Sequence, residues 1–139
     1  MNDIDAVKVK KVKDELTKLV NEIFKLINIK FEDTTELERQ VIATFTFGLI
    51  NAIALNEGLN QPQVHALTIA VLIDEFKYSE EQGASFSQEL IKATKREYHP
   101  VMNNIIHRGI DGYYQYNDNQ IDDLKDNITN VLDIVNKKA

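Results

Sequence analysis

Apolar side chains recur along this chain at alternating steps of three and four, and nowhere in the strict alternation of a strand. Val9, Val12, Leu16, Leu19, Ile23 and Leu26 form the first such series, widened by Val20, Phe24 and Ile27. It predicts an amphipathic helix over about residues 5–29. The repeat stops short of three heptads, and a stripe this wide suits packing onto the chain's own body. A homodimer through the same stripe is the open alternative.

Asp33, Thr34 and Thr35 offer caps for a second helix over 35–57, with Glu36 and Glu38 complementing its dipole. Its stretch from Val41 to Asn56 holds no charge, although Thr44, Thr46, Gly48 and Asn51 interrupt the apolar residues. That run is shorter than the roughly 20 apolar residues of a membrane span, so a buried central helix is expected. Gly58 ends it. Asn60 and Pro62 open a third helix over 62–77, uncharged from Val64 to Ile73 except at His65, and a second central helix is expected there.

Ser79 and Gln82 make a capping box for a fourth helix over 80–96, whose inner face carries Phe86, Leu90 and Ala93. It ends before His99-Pro100. A fifth helix follows over 100–116, broken by Asn117-Asp118-Asn119, and a sixth over 119–136 buries Ile121, Leu124, Ile128, Val131 and Val135. The expected fold is all-α: a single-domain bundle of about six helices spanning residues 1–139.

Composition changes this picture mainly by exclusion. The chain has no cysteine, which removes disulfides, thiol nucleophiles and thiolate metal sites. Met1 to Lys13 mixes Asp3, Asp5 and four lysines with isolated apolar residues, unlike a signal peptide, so a cytoplasmic location is expected. Residues 1–30 carry net charge +2 and residues 31–139 net −8. An acidic body repels nucleic acid and anionic membrane and favours basic partners. The same charge also serves plain solubility.

Candidate chemistry is sparse. No Gly-x-Ser-x-Gly turn, phosphate loop or dinucleotide fingerprint is present, so neither enzymatic activity nor a cofactor is expected. His107 and Asp111 lie four apart, a spacing that suits two metal ligands, with His65 or His99 as further candidates. The paired Glu-x-x-His motifs of di-iron bundles are missing, and a lone His–Asp pair is more simply a local hydrogen bond.

The fifth helix is the most unusual segment. Gly109 and Gly112 each cost about 1 kcal/mol relative to alanine inside a helix, which calls for compensation by close approach of another backbone. Met102, Ile106, Ile110 and Tyr113 make an apolar stripe; Asn103, His107, Asp111 and Tyr114 make a polar one, with Asn104, Arg108 and Gln115 beside it. The helix ends in Tyr113, Tyr114 and Tyr116, and tyrosine with arginine is the usual composition of binding hot spots. A local network of His107, Arg108 and Asp111 fixing this helix is the competing reading. Asp118, Asp122, Asp123 and Asp126 form a second candidate surface, for a basic partner or simply for solvent.

Three runs, ERQVIATFTFGLINAIA, FKYSEEQGASFSQELI and REYHPVMNNIIHRGIDGYYQY, resemble the immunity protein 48 family of bacterial polymorphic toxin systems, over roughly residues 37–135. The most specific pieces are Tyr98-His99-Pro100 and His107-Arg108-Gly109-Ile110-Asp111-Gly112. The resemblance implies a small cytoplasmic protein that binds and neutralises a toxin encoded beside it, without substrate or cofactor. A basic nuclease domain is the toxin class the acidic body suits. The resemblance carries over no contact residues, so His107, Arg108, Asp111, the three tyrosines and the four aspartates stand on the surface argument alone. The alternatives are a helical metal- or ligand-responsive stress module and a structural homodimer.

Overall fold

The computed structural model describes residues 3–138, and residues 1, 2 and 139 of the expected domain lie outside it. Six α-helices follow one another: α1 (Asp3–Ile27), α2 (Glu36–Glu57), α3 (Gln61–Asp74), α4 (Glu80–Lys92), α5 (Pro100–Asn117) and α6 (Ile121–Lys138). A single 3-10 turn, Phe31–Asp33, joins α1 to α2, and no strand occurs among the described residues. The all-α bundle read from the periodicity is the fold.

Local chemistry starts and stops these helices. Thr35–Glu38, Asn60–Gln63 and Ser79–Gln82 form capping boxes at α2, α3 and α4, each side chain accepting from the other's backbone N–H. At α5 the cap is His99, whose Nδ1 accepts from the Met102 N–H at 3.1 Å. Gly58 ends α2 at φ 69°, and Asn28, Lys77 and Asn119 adopt the same left-handed conformation after α1, after α3 and before α6.

Several boundaries shift by two residues or more from those expected, and three of the shifts have a visible cause. α3 stops at Asp74 instead of 77, because the chain reverses through left-handed Lys77 and the Tyr78 N–H reaches back to the Leu72 carbonyl. α4 stops at Lys92 instead of 96: the carbonyls of Ala93 and Thr94 are taken by the Asn103 side chain, and tight turns carry the chain to Tyr98. α6 starts at Ile121 because Asn119 is left-handed.

α2 is the centre, buried continuously from Val41 to Ile50. Its principal neighbour is α5, and α1, α3 and α6 close round the remaining sides, with α4 on α3. α3 buries one face, through Val64, Leu67, Thr68, Val71 and Leu72. In α1, Val12, Leu16, Leu19, Val20 and Ile23 lie in the core. The side chains that a dimer through this stripe needs are therefore buried within the chain.

Glycine sets the α2–α5 distance. A Cβ on Gly109 would stand 2.0 Å from the Phe45 carbonyl oxygen, and one on Gly48 2.1 Å from the Ile106 carbonyl oxygen. The two helices thus cross backbone to backbone at this pair, which is the compensation that Gly109 called for. Gly112 differs, because it makes room for the ring of Phe45, whose Cζ would lie 2.7 Å from an added Cβ.

Candidate functional site

The solvent face of α5 is set by what its other faces bury. Asn103, Ile105, Ile106, Gly109 and Gly112 point into the bundle. Val101, Asn104, His107, Asp111 and Tyr114 follow one another along the exposed side at steps of three or four. The polar stripe expected from the sequence began at Asn103, and here the structure corrects it. Asn103 is 7% exposed, and its Nδ2 donates to the carbonyls of Ala93 and Thr94, both at 3.1 Å. It pins the end of α4 onto α5, so the exposed stripe passes through Val101 and Asn104 instead.

Arg108 is tied to α6. Its Nε donates to Asn127 Oδ1 at 2.6 Å, and its Nη2 to the Asn127 carbonyl at 3.4 Å. The Asn127 Nδ2 donates back to the Arg108 carbonyl (2.8 Å) and to Gln115 Oε1 (3.0 Å). The alternative reading expected a local network of His107, Arg108 and Asp111; Arg108 is instead tied to Asn127, which also reaches Gln115, while His107 and Asp111 face solvent. Asn127 escaped the sequence reading. A polar residue between Leu124 and Ile128, on an otherwise apolar face, was the available signal.

The tyrosines gather where α5 ends. The rings of Tyr113 and Tyr114 meet edge to face at 5.2 Å, and the Tyr114 hydroxyl accepts from Asn56 Nδ2 at 3.3 Å. Tyr114 and Tyr116 are exposed, whereas Tyr113 is half-buried. Burial, reinforced by the carboxylates of Glu15 and Glu57, raises the pKa of Tyr113 above the usual phenol value. Asp118 follows directly in the α5–α6 turn, and Asp122 and Asp123 sit in the first turn of α6, where its dipole favours them. Asp126 is exposed one turn on. The two surfaces proposed separately from the sequence are thus adjacent in the chain's turn from α5 to α6.

The histidines do not gather. His65 Nδ1 is 3.1 Å from Ser87 Oγ between α3 and α4, His99 caps α5, and His107 lies two turns further along that helix. Among the described residues no three His, Cys, Asp or Glu side chains converge on a point that could hold a metal ion. The ligand set that a metal-responsive module requires does not assemble there.

At the opposite end of α5 the structure holds a feature the sequence reading missed. A groove of about 740 Å³ runs between the start of α2, the outer side of α4, the start of α5 and the end of α6. Val41, Phe86, Met102, Ile105 and Val135 line it, and the exposed Leu37 and Val101 stand at its mouth. Glu36, Glu81 and Glu89 also line it, among uncharged polar side chains and His99, and no lysine or arginine does. The Tyr78 hydroxyl donates to Glu36 Oε1 at 3.2 Å, and the Tyr98 hydroxyl donates to Glu89. Burial first and Glu36 second raise the Tyr78 pKa above the usual phenol value. No single helix signals such a groove, because four helices supply its walls.

No helix among the described residues is long and apolar enough to cross a membrane. The model of the family described as immunity protein 48 matches residues 12–136. No curated protein and no solved structure matches the chain.

Proposed function

The chain belongs to the immunity protein 48 family, and from that membership we propose that it binds a cognate bacterial toxin in the cytoplasm and neutralises it by covering the toxin's active site. The family match over residues 12–136 carries the reading. Inhibition of this kind is stoichiometric and needs neither substrate nor cofactor.

The covering face is the exposed side of α5 with the adjoining start of α6. Tyr113, Tyr114 and Tyr116 supply wide, stiff contact area with little rotamer freedom to lose. His107 and Asp111 lie on the same solvent side. Asp118, Asp122, Asp123 and Asp126 attract a basic surface such as that of a nuclease, and they accelerate encounter more than they strengthen the final complex. Arg108 acts indirectly, holding α5 and α6 in register through Asn127.

The test is co-expression with the toxin domain encoded beside this chain, scored by growth and by co-purification. Restored growth with a one-to-one complex supports neutralisation. A toxin that kills regardless, with no complex recovered, removes the reading. Tyr114→Ala should weaken the complex by about 2 kcal/mol if that residue is an anchor. Affinity that does not fall with added salt would rule out the charge contribution.

A further inference from the structure

We propose that the α2–α4–α5 groove is a second docking surface, and that its occupant is a helical segment of the partner with an apolar face flanked by lysine or arginine. The groove accounts for the apolar half of that description. Phe86, Met102 and Ile105 form a floor continuous with the core, while Val101, 54% exposed, and Leu37 stand unburied at its mouth. A segment that laid apolar side chains there would remove this surface from water, which is the driving force of helix-in-groove recognition.

The basic half follows from the lining. Three carboxylates border the groove, no lysine or arginine lines it, and its one histidine, His99, is engaged through Nδ1 as the cap of α5. Two of them are aimed by fixed donors: Glu36 by the Tyr78 hydroxyl and Gln40 Nε2, each at 3.2 Å, and Glu89 by the Tyr98 hydroxyl. Glu36 and Glu89 also have ion-pair neighbours outside the lining, Arg39 at 3.3 Å and Lys92 at 3.9 Å. The carboxylate of each pair is about half exposed or more, so water screens both pairs and they reduce the local field without cancelling it, Arg39 more than Lys92 because its own side chain is 26% exposed. An acidic segment would bring further negative charge against three carboxylates, and a neutral one would desolvate them without adding a cation, whereas lysine or arginine would offset that desolvation.

The identity of the partner as a toxin rests on the neutralisation reading; the chemistry of the occupant does not. The test is therefore made without toxin. The full chain is titrated with a synthetic helical peptide bearing a leucine face and a lysine face, and separately with its glutamate counterpart, while backbone amide shifts are followed. The lysine peptide should move resonances at Leu37, Val101, Met102 and Ile105, and the glutamate peptide should not.

Ser85 and Glu81 are exposed on the groove wall and outside the core, so Ser85→Arg and Glu81→Lys should leave the fold intact. Ser85→Arg should abolish the shifts, and Glu81→Lys should weaken binding by about tenfold. Equal response to both peptides, shifts confined to other surfaces, or unchanged binding by Ser85→Arg would each overturn the inference. Any of these would leave the co-expression result untouched, so the two failures can be told apart.

Discussion

The two ends of α5 solve different problems with similar residues. Its C-terminal end is polar, with exposed Tyr114, Tyr116 and the aspartates of the following turn and of α6. Its N-terminal end borders a concave, apolar groove rimmed by glutamates. Each end is held by one buried asparagine: Asn103 fastens α4 to the start of the helix, and Asn127 of α6 fastens the end through Arg108 and Gln115. A polar residue on this helix is therefore no guide to binding. Exposure distinguishes the two roles, and exposure depends on the neighbouring helix.

Between the ends lies the Gly48–Gly109 crossing, on which both surfaces depend. Gly109→Ala improves helix propensity by about 1 kcal/mol, yet its methyl group would sit on the Phe45 carbonyl oxygen. The net expectation is destabilisation of about 3 kcal/mol, measured by urea unfolding. A neutral or stabilising result would mean that α2 and α5 separate without cost, and then neither end is rigidly presented.

The asparagine latches come next in size. Asn127→Ala removes the acceptor of Arg108 Nε and the side-chain donor to the Arg108 carbonyl, leaving only the longer Nη2 bond to the backbone, and it should cost about 2 kcal/mol. Asn103→Ala removes two bonds to carbonyls near the exposed end of α4, and about 1 kcal/mol is expected. Amide hydrogen exchange should quicken locally, at the α5–α6 turn for the first and at residues 93–98 for the second. If either variant loosened both ends, the two regions would be one cooperative unit.

How much of this was legible beforehand depends on the range of the interactions involved. The caps at Ser79 and Asn60 lie within three residues of the groups they satisfy, so they were readable. The tyrosine end and the aspartates were singled out for the same reason, being neighbours in sequence. The roles of Asn103 and Asn127 went unread, since each depends on partners fixed by tertiary packing; His99 caps locally, through Met102 three residues on, and went unread because histidine is not among the usual capping residues. Gly109 was flagged as costly, but its partner Gly48 looked like a mere interruption of an apolar run.

The smallest effect separates the ends by pH. Tyr78 at the groove and Tyr113 at the far end both have raised pKa values in the folded chain. Unfolded tyrosine ionises near pH 10, so their contribution to stability is intact below that pH and is lost as pH rises through the folded values. Unfolding monitored from pH 9 to 12 should show a declining limb, made shallower by Tyr78→Phe and by Tyr113→Phe. Because Tyr78 also faces Glu36, its variant should change the limb more. The reverse ranking would place the drier environment at the tyrosine end.

The helices and their order, the dominance of α2 in the core and the acidic character of the body belong to the amino-acid pattern alone, because helix formation and capping act over three or four residues and burial follows hydrophobic period. Which polar side chains became latches, how close α2 and α5 approach, and the existence of a groove were decided only when helices distant in sequence met. Those features are distances between backbones and the spaces left between side chains, and a linear pattern contains neither.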